Sequence, residues 1–397
     1  MPSASPHETV PATTPAASLV FTTVLSHGPL TRTEIGRRTR LSSAAVTKAV
    51  RPLMAAGYLV EDAEVGEGVR TALGRPANPV RVDAGRALFI GIKVTGDEII
   101  AVLTDLCCRI RTARHLRLPG REPSAVLPSL LAMVEELRTE ADGFGVQVCG
   151  LGLAVSGDVD RTEGVVRYSP FLEWRDIPLA QLVGDATGLP VTVDNDVRAL
   201  TVAEQWFGAG VGLTDFALVT VGAGIGCGLV VNGRVVSGAH GVAGEIGHLS
   251  LDPLGPPCYC GDHGCVEAIA ADPAILREVR ETTGTSVATM AEALALARGG
   301  DPRVREVYAR AGVAIGRAIA SVVNILGPAR VIISGEGLAA YDLFAEGIRD
   351  AFAKSVFGAA AQCDVMTRPL PFEEWARGAA ATAIQSFIGS DTREEYR

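Results

Sequence analysis

The order of strands and helices repeats within this chain of 397 residues. Three apolar runs at 88–94, 98–106 and 109–118 predict strands, and a helical pattern at 123–141 and a buried strand at 146–155 follow them. The same order returns in the second half, in a series of segments at 216–222, 224–232, 233–238, a set of helices from 273 onward, and 329–335. Two halves with one order predict a duplicated α/β fold whose two lobes enclose a cleft.

The composition is that of a soluble globular protein, with 48% hydrophobic and 20% charged residues. We expect disorder only at the ends, and residues 1–17 are predicted to be a disordered tail. No apolar run approaches the roughly 18 to 20 residues that span a bilayer, and the first residues lack the features of a signal peptide. The sequence therefore predicts a cytoplasmic protein. The eight cysteines are then metal ligands or inert thiols before they are disulfides.

One histidine and three cysteines are clustered within a segment rich in glycine and proline: His248, Cys258, Cys260 and Cys265. Thiolate and imidazole are donors that zinc prefers, and three sulfurs with one nitrogen complete a tetrahedron that leaves no position for water. The cluster predicts a structural zinc site that holds a loop. The alternative is a glycine-rich loop with reduced cysteines, because the chain also carries scattered cysteines elsewhere.

Three helices and a two-stranded wing are predicted near the N-terminus, within residues 18–84. Thr31 is placed to cap a short second helix that ends at Thr39, and Ser42 precedes a third helix that Gly57 ends. An apolar stripe predicts the first helix: Leu19, Val20, Val24 and Leu25. Pro52 removes a backbone donor and should bend the third helix, so its groove-facing half should end near Arg51.

This region is also basic, since residues 28–58 contain six basic residues and one acid in a chain of net charge −9. A basic head on an acidic body indicates a nucleic-acid-binding end. The third helix would enter the major groove of DNA, and Arg75 at the wing tip would suit the minor groove. The predicted DNA-binding residues are Arg32, Ser43, Ala44, Thr47, Lys48, Arg51 and Arg75. The alternative is a small protein-interaction domain whose basic face is merely solvated.

Together these segments resemble the ROK family, which joins sugar kinases of the actin-like ATPase fold to transcriptional regulators with an N-terminal winged helix. The resemblance runs from about Leu19 to Gly389 and is most specific in the GEIGH…CxCGxxGCxE signature. It implies an α/β protein in which a winged helix-turn-helix precedes a two-lobed, sugar-kinase-like body at 85–390, with lobe one at about 85–208 and lobe two at about 209–390. It also implies that the clustered His248, Cys258, Cys260 and Cys265 hold zinc.

The resemblance further implies a sugar pocket made by Asn195, Asp196, Glu245, His248 and Glu267. Carboxylates and a carboxamide supply the acceptors and donors that sugar hydroxyls need. Taken alone, Asn195 and Asp196 would equally suit a helix cap after a strand. Arg198 stands where an asparagine is usual, and it is either a surface helix residue or a partner for an anionic group such as a sugar phosphate.

The phosphate loops depart from those of the kinases in this family. The first, usually D-x-G-G-T, is Lys93-Val94-Thr95-Gly96-Asp97, so the aspartate is a lysine and a carboxylate stands where phosphate would lie. The second, Gly222-Ala223-Gly224-Ile225-Gly226, survives. The sequence therefore predicts a sugar-responsive DNA-binding regulator, most simply a homodimeric repressor of carbohydrate genes with no enzymatic activity. The alternatives are an active sugar kinase that uses ATP and a protein-interaction module.

Overall fold

The computed structural model describes residues 14–62 and 78–389. The chain groups into two compact units. The first takes in the chain up to Gly212 and again from Glu373, and the second is Leu213–Phe372. The prediction gave residues 209–390 to lobe two, but the last helix packs within the first unit. That difference arises because the order of elements along the chain does not reveal where a terminal helix docks.

Three helices and a two-stranded sheet form the N-terminal region, as predicted. The first helix already begins at Pro15, inside the predicted tail of residues 1–17. The elements are α1 (Pro15–His27), α2 (Arg32–Thr39), α3 (Ser43–Ala55), β1 (Leu59–Glu61) and β2 (Val80–Val82). β1 and β2 are antiparallel, and Leu30 bridges to Val80 beside them. Arg75, predicted at the wing tip, lies outside the described residues.

Side-chain caps and an apolar interior explain these helices. Thr31 and Glu34 form a capping box at the start of α2, since each side chain accepts from the other residue's backbone N–H. Ser42 caps α3 in the same position as predicted. The inward face of α3 is apolar and fully buried at Val46, Val50 and Leu53. One detail was wrong: Leu19 of the α1 stripe is 44% exposed. α3 continues through Pro52 to Ala55, shortly before Gly57, where the sequence predicted its end.

The first unit is built around a five-stranded sheet in the order β10-β6-β3-β4-β5. A small three-stranded sheet, β7-β8-β9, was not predicted as a sheet. The elements are β3 (Leu88–Val94), β4 (Glu98–Asp105), β5 (Ile110–Arg117), α4 (Pro123–Gly143), β6 (Val148–Val155), β7 (Asp158–Asp160), β8 (Val165–Ser169), β9 (Trp174–Ile177), α5 (Leu179–Thr187), β10 (Val191–Asn195) and α6 (Asp196–Phe207).

The second unit has a sheet in the order β13-β12-β11-β14-β15, in which an antiparallel run again precedes parallel strands. The predicted repetition of one fold is therefore confirmed. The elements are β11 (Phe216–Val221), β12 (Ile225–Val231), β13 (Arg234–Val235), α7 (Val266–Ala270), α8 (Asp272–Thr283), α9 (Met290–Arg298), α10 (Pro302–Leu326), β14 (Arg330–Ser334), α11 (Tyr341–Ser355) and β15 (Asp364–Thr367).

Helix α10 is long and apolar enough to cross a membrane by length and composition alone, which counting uninterrupted apolar runs overlooked. Its inward residues, Val304, Ile315 and Ile319 among them, are fully buried in the core of the second unit. A helix that is apolar on its buried side is typical of the centre of a globular unit.

The last helix, α12 (Glu373–Ile388), packs against β3, β6 and α6 in the first unit. It approaches so closely that a Cβ at Gly91 of β3 would collide with the Ala376 carbonyl. Near its end, the Phe387 ring lies 5.2 Å from Phe89 and 6.2 Å from Tyr58, between centroids. Because Tyr58 follows α3 directly, this aromatic row joins the winged helix to the lobe that carries Asn195 and Asp196.

Candidate functional site

The four predicted metal ligands lie together in the second unit. One ligand atom from each of His248, Cys258, Cys260 and Cys265 lies within 4.8 Å of the other three. The Cys260 and Cys265 sulfurs are 3.7 Å apart, and Cys258 Sγ is 3.6 Å from His248 Nδ1. Zinc–sulfur bonds of about 2.3 Å at tetrahedral angles place two sulfurs about 3.7 Å apart. The donor set and its spacing therefore fit a metal ion of this size.

Tyr259 connects the metal cluster to one of the predicted sugar residues. Its hydroxyl hydrogen-bonds the Glu267 carboxylate, and it also lies 3.1 Å from His248 Nε2. Burial, and after it the negative charges of Glu267 and Glu245, raise the pKa of Tyr259, so the phenol remains a donor. With that proton directed at Glu267, the Tyr259 oxygen is left as an acceptor toward His248 Nε2, and His248 Nδ1 faces the cysteine sulfurs.

Glu245 and Glu267 occupy different surroundings in the second unit. Glu245 is exposed and follows Gly244, whose φ of +91° and contact with the Cys227 carbonyl leave no room for a Cβ. Glu267 is half-buried in the first turn of α7, and its Oε2 accepts from the Ile225 backbone N–H at 3.0 Å. This hydrogen bond ties α7, which directly follows the His/Cys cluster, to the start of β12.

Asn195 is the N-cap of α6, which is the alternative that the sequence left open. Its Oδ1 accepts from the backbone N–H of Val197 and of Arg198, at 3.0 and 3.2 Å, and its Nδ2 donates to the Gly157 carbonyl at 2.9 Å. A carboxamide carries two N–H donors. The Asn195 side chain therefore has one N–H donor more than its bond to Gly157 uses. Capping and ligand binding are thus compatible roles for this residue.

Asp196 is buried and ion-paired with Lys93, the residue that replaces the aspartate of the first phosphate loop. Ser156 donates to the same carboxylate oxygen at 2.6 Å and accepts from Lys93 at 2.8 Å. Burial opposes the ionisation of Asp196, but the Lys93 ammonium and the hydrogen bonds from Ser156 and Val197 hold the pKa of Asp196 below its usual range. Asp196 is thus a fixed carboxylate.

Arg198 fits neither of its predicted roles. It is buried, with 4% of its surface exposed, and its guanidinium lies 2.6 Å from the Asp194 carboxylate, which is itself 1% exposed. It also donates to the Val159 carbonyl at 3.0 Å. Arg198 is therefore neither a surface residue nor available in this structure for an anionic ligand, because the aspartate four residues earlier in the chain already holds its fork.

Side chains of the chain itself make contacts at both loops that correspond to the phosphate loops of the kinases. At the end of β3, Thr95 Oγ1 accepts from the Glu98 backbone N–H at 3.0 Å and donates to the Glu98 carbonyl, which closes the hairpin to β4. In the second unit, a Cβ at Gly222 would collide with the Glu336 carboxylate, so this carboxylate lies beside the loop. A carboxylate at a glycine loop disfavours a polyphosphate through charge repulsion.

The predicted DNA-binding residues lie on the exposed face of α3 and, in the case of Arg32, at the start of α2. All of these are exposed in the winged helix except Arg75, which is outside the described range: Arg32, Ser43, Ala44, Thr47, Lys48 and Arg51. The α3 residues recur at spacings of one and three to four, so they share one side of the helix. The opposite side packs inward on α1 and α2. Arg37, Arg38 and Arg40 of the α2 region are also exposed and were not predicted as DNA contacts.

The fold and the His/Cys cluster define a two-lobed α/β protein with a winged helix at its N-terminus and a loop in its second unit whose four side chains could hold a metal ion. The model of the ROK family matches residues 89–386, and the chain belongs to the ROK family. The signature-based resemblance is therefore confirmed, and so is the actin-like fold that it implies.

Relatives within the family include both regulators and kinases. The DNA-binding transcriptional repressor Mlc of Escherichia coli strain K12 is 27% identical over 355 residues, which cover 87% of each chain. A solved ROK family transcriptional regulator, a homologue of Mlc, superposes with a TM-score of 0.79 at 25% identity and covers 94% of this chain and 95% of that one. The ROK hexokinase of Thermus thermophilus gives a TM-score of 0.66 at 31% identity, over 75% of this chain and 98% of its own.

The difference in coverage is informative. The solved regulator covers 94% of this chain, which is more than the body alone, whereas the hexokinase, nearly complete in the match, covers 75% of this chain. The chain is therefore similar over most of its length to ROK repressors. Three residues that form the site geometry were not assigned to it from sequence: Lys93 was noted only as a lost phosphate-loop aspartate, and Ser156 and Tyr259 carried no signal of their own.

Proposed function

We propose that this protein is a transcriptional repressor of carbohydrate genes whose grip on DNA responds to a bound sugar. The observation that carries the proposal is the combination of an exposed polar and basic face on α3 with a kinase-like body in which Lys93 is paired to Asp196. The first feature fits a recognition helix in a major groove. The second fits a body that binds a ligand without phosphorylating it.

The proposed effector is a sugar or sugar derivative bound by Asn195 and Asp196 in the first unit and by Glu245, His248 and Glu267 in the second. A carboxylate accepts from a hydroxyl at charge-assisted strength, and a carboxamide N–H donates to one. Other relatives are named a xylose repressor and an N-acetylglucosamine repressor, which supports this class of ligand. Because His248 Nδ1 faces the cysteines, we propose that His248 acts mainly as a metal ligand. It would affect the sugar indirectly, through its hydrogen bond to Tyr259.

We propose zinc as the metal held by His248, Cys258, Cys260 and Cys265. Three thiolates and one imidazole are typical of closed structural zinc sites. Zinc would supply a rigid anchor for the loop. The chain's own residues do the rest: Tyr259 orients His248 and hydrogen-bonds Glu267, and Glu267 in turn holds the start of β12 through Ile225.

We propose that effector binding shifts an equilibrium between a state that binds operator DNA and one that does not. A ligand can shift it only by the difference between its affinities for the two states, which must reach several kcal/mol to release most molecules. The aromatic row from Phe89 through Phe387 to Tyr58 supports transmission from the first lobe to the end of α3. A cytoplasmic homodimer is proposed as the acting form, because paired half-sites need two recognition helices.

Calorimetry with sugars tests the effector assignment. D-xylose, D-glucose and N-acetyl-D-glucosamine should be titrated into the wild type, into Glu245→Ala and into Glu346→Ala, a control at an exposed glutamate of α11. We expect one of the sugars to bind the wild type and the control alike, and Glu245→Ala to bind about tenfold or more weakly. Equal binding by all three proteins would contradict the assignment of Glu245, and no binding at all would contradict a sugar of these classes.

A further inference from the structure

The buried group of Lys93, Asp196 and Ser156 joins three elements of the first unit. Lys93 is the last residue but one of the fully buried strand β3, Ser156 follows β6, and Asp196 begins α6. Lys93 is 4% exposed, and its ammonium lies 5.6 Å from the centre of the Trp375 ring of α12. Removing a lysine from water is expensive unless it is paired, so this arrangement depends on Asp196.

Counting donors and acceptors shows what the group can still offer. A carboxylate has about four acceptor sites. On Asp196, Oδ2 takes the Lys93 ammonium and the Ser156 hydroxyl, and Oδ1 takes the Val197 backbone N–H at 2.9 Å. The carboxylate therefore retains the capacity for one more donor, at Oδ1. Because Ser156 donates to Asp196 and accepts from Lys93, all three side chains are locked in one orientation.

We propose that Lys93 is a positioning residue of the effector site. It holds the Asp196 carboxylate ionised and oriented, so that Oδ1 accepts a hydrogen bond from one sugar hydroxyl without removing its proton. The inference rests on the proposed sugar-binding function and deepens it. The neighbouring Asn195 amide adds a donor beside this acceptor, so the first unit presents an acceptor and a donor side by side. That pair matches two adjacent hydroxyls of a neutral sugar, one donating and one accepting.

The same geometry excludes a second use of Asp196. A general base must be free to accept a proton at the working pH, whereas a carboxylate paired with a buried ammonium is stabilised as the anion. The groups that face Asp196 are Lys93 from β3, Ser156 after β6 and the Val197 N–H of α6, with the Trp375 indole of α12 behind the ammonium. Lys93 supplies the positive charge in this set, so replacing it changes the character of the site.

The test uses the full chain and the sugar among D-xylose, D-glucose and N-acetyl-D-glucosamine that binds the wild type. Calorimetric titrations between pH 5.5 and 8.5 should be carried out on the wild type, Lys93→Met and Lys93→Arg. We expect a flat pH profile in the wild type and in Lys93→Arg. Lys93→Met should bind at least about tenfold more weakly, and its affinity should fall further as pH decreases, because an unpaired buried carboxyl takes up a proton.

A change at Ser156 tests the same role of the buried group without altering its charge. Ser156→Ala removes one donor without removing a charge, and it should weaken binding by severalfold while the pH profile stays flat. It serves as the measurement if Lys93→Met does not fold. An unchanged affinity and a flat profile in Lys93→Met, or an unchanged affinity in Ser156→Ala, would overturn the role of Lys93. If the wild type binds none of the three sugars, the proposed function fails first, and that failure is distinct from a loss limited to the variants.

Discussion

Replacing Asp194 by alanine should strongly destabilise the first unit. The Asp194 carboxylate is 1% exposed and lies 2.6 Å from the guanidinium of Arg198, which is 4% exposed. It also accepts from the Asn195 backbone N–H at 2.7 Å and faces Arg161 at 3.6 Å. Removing one partner of a buried ion pair leaves an uncompensated charge, which costs about 3 to 5 kcal/mol. The free energy of unfolding should fall by this amount.

Urea denaturation followed by circular dichroism measures the loss. With a slope of about 2 to 3 kcal/mol per molar urea, the midpoint of the affected transition should fall by about 1 to 2 M. Glu136→Gln is the matched control, because the Glu136–Arg114 pair of the same unit has a similar N–O distance of 2.7 Å but side chains 56% and 39% exposed. That change should cost about 0 to 1 kcal/mol. Equal, small shifts in both variants would refute the reasoning from burial.

Four further outcomes follow from the same geometry. Lys48→Ala and Arg51→Ala on α3 should each weaken DNA binding and reduce the slope of log K against log salt by about 0.9, measured by fluorescence anisotropy, while Lys354→Ala on α11 should leave both unchanged; an unaltered slope would remove that residue from the phosphate contacts. Cys260→Ser should lower the bound zinc, the thermal midpoint and the affinity for sugar together, and normal sugar binding by the metal-free protein would make the metal incidental to the effector site. Tyr259→Phe should release zinc about 10- to 100-fold more readily, and an unchanged metal affinity would argue against the hydrogen bond to His248. Burial raises the pKa of Asp272 to about 6, so folding favours its protonated form. The stability that depends on this protonated carboxyl is present below pH 4 and lost as pH rises through 6. Asp272→Asn should therefore stabilise the protein by about 2 to 3 kcal/mol at pH 8 and little at pH 4, and a pH-independent effect would contradict the shift.

Local signals in the sequence were enough to predict the elements that local chemistry determines. Thr31 and Ser42 marked the starts of α2 and α3, because a capping side chain bonds a backbone group only a few positions away. The metal cluster was visible because its four ligands are close in sequence. Short runs of apolar residues were enough to predict the central strands of both units.

The partners of buried charges were beyond the reach of the same reasoning. Lys93 and Asp196 are 103 positions apart, and nothing in either segment shows that the end of β3 lies beside the start of α6. Arg198 was predicted wrongly because a polar residue at this position in the sequence is equally typical of an exposed helix. Its burial depends on the ion pair with Asp194, four residues earlier, which the spacing of polar residues does not reveal. The docking of α12 in the first unit also required long-range packing, which a reading along the chain does not reveal.

The central claim is that the winged helix reads DNA under the control of a sugar bound to the body. The most direct measurement is a selection of genomic fragments by the purified full-length protein, repeated in the presence of D-xylose, D-glucose and N-acetyl-D-glucosamine. We expect enrichment of one palindromic sequence near carbohydrate genes, and loss of that enrichment with one of the sugars. Absence of any enriched sequence, or an enriched sequence that none of the sugars affects, would contradict it.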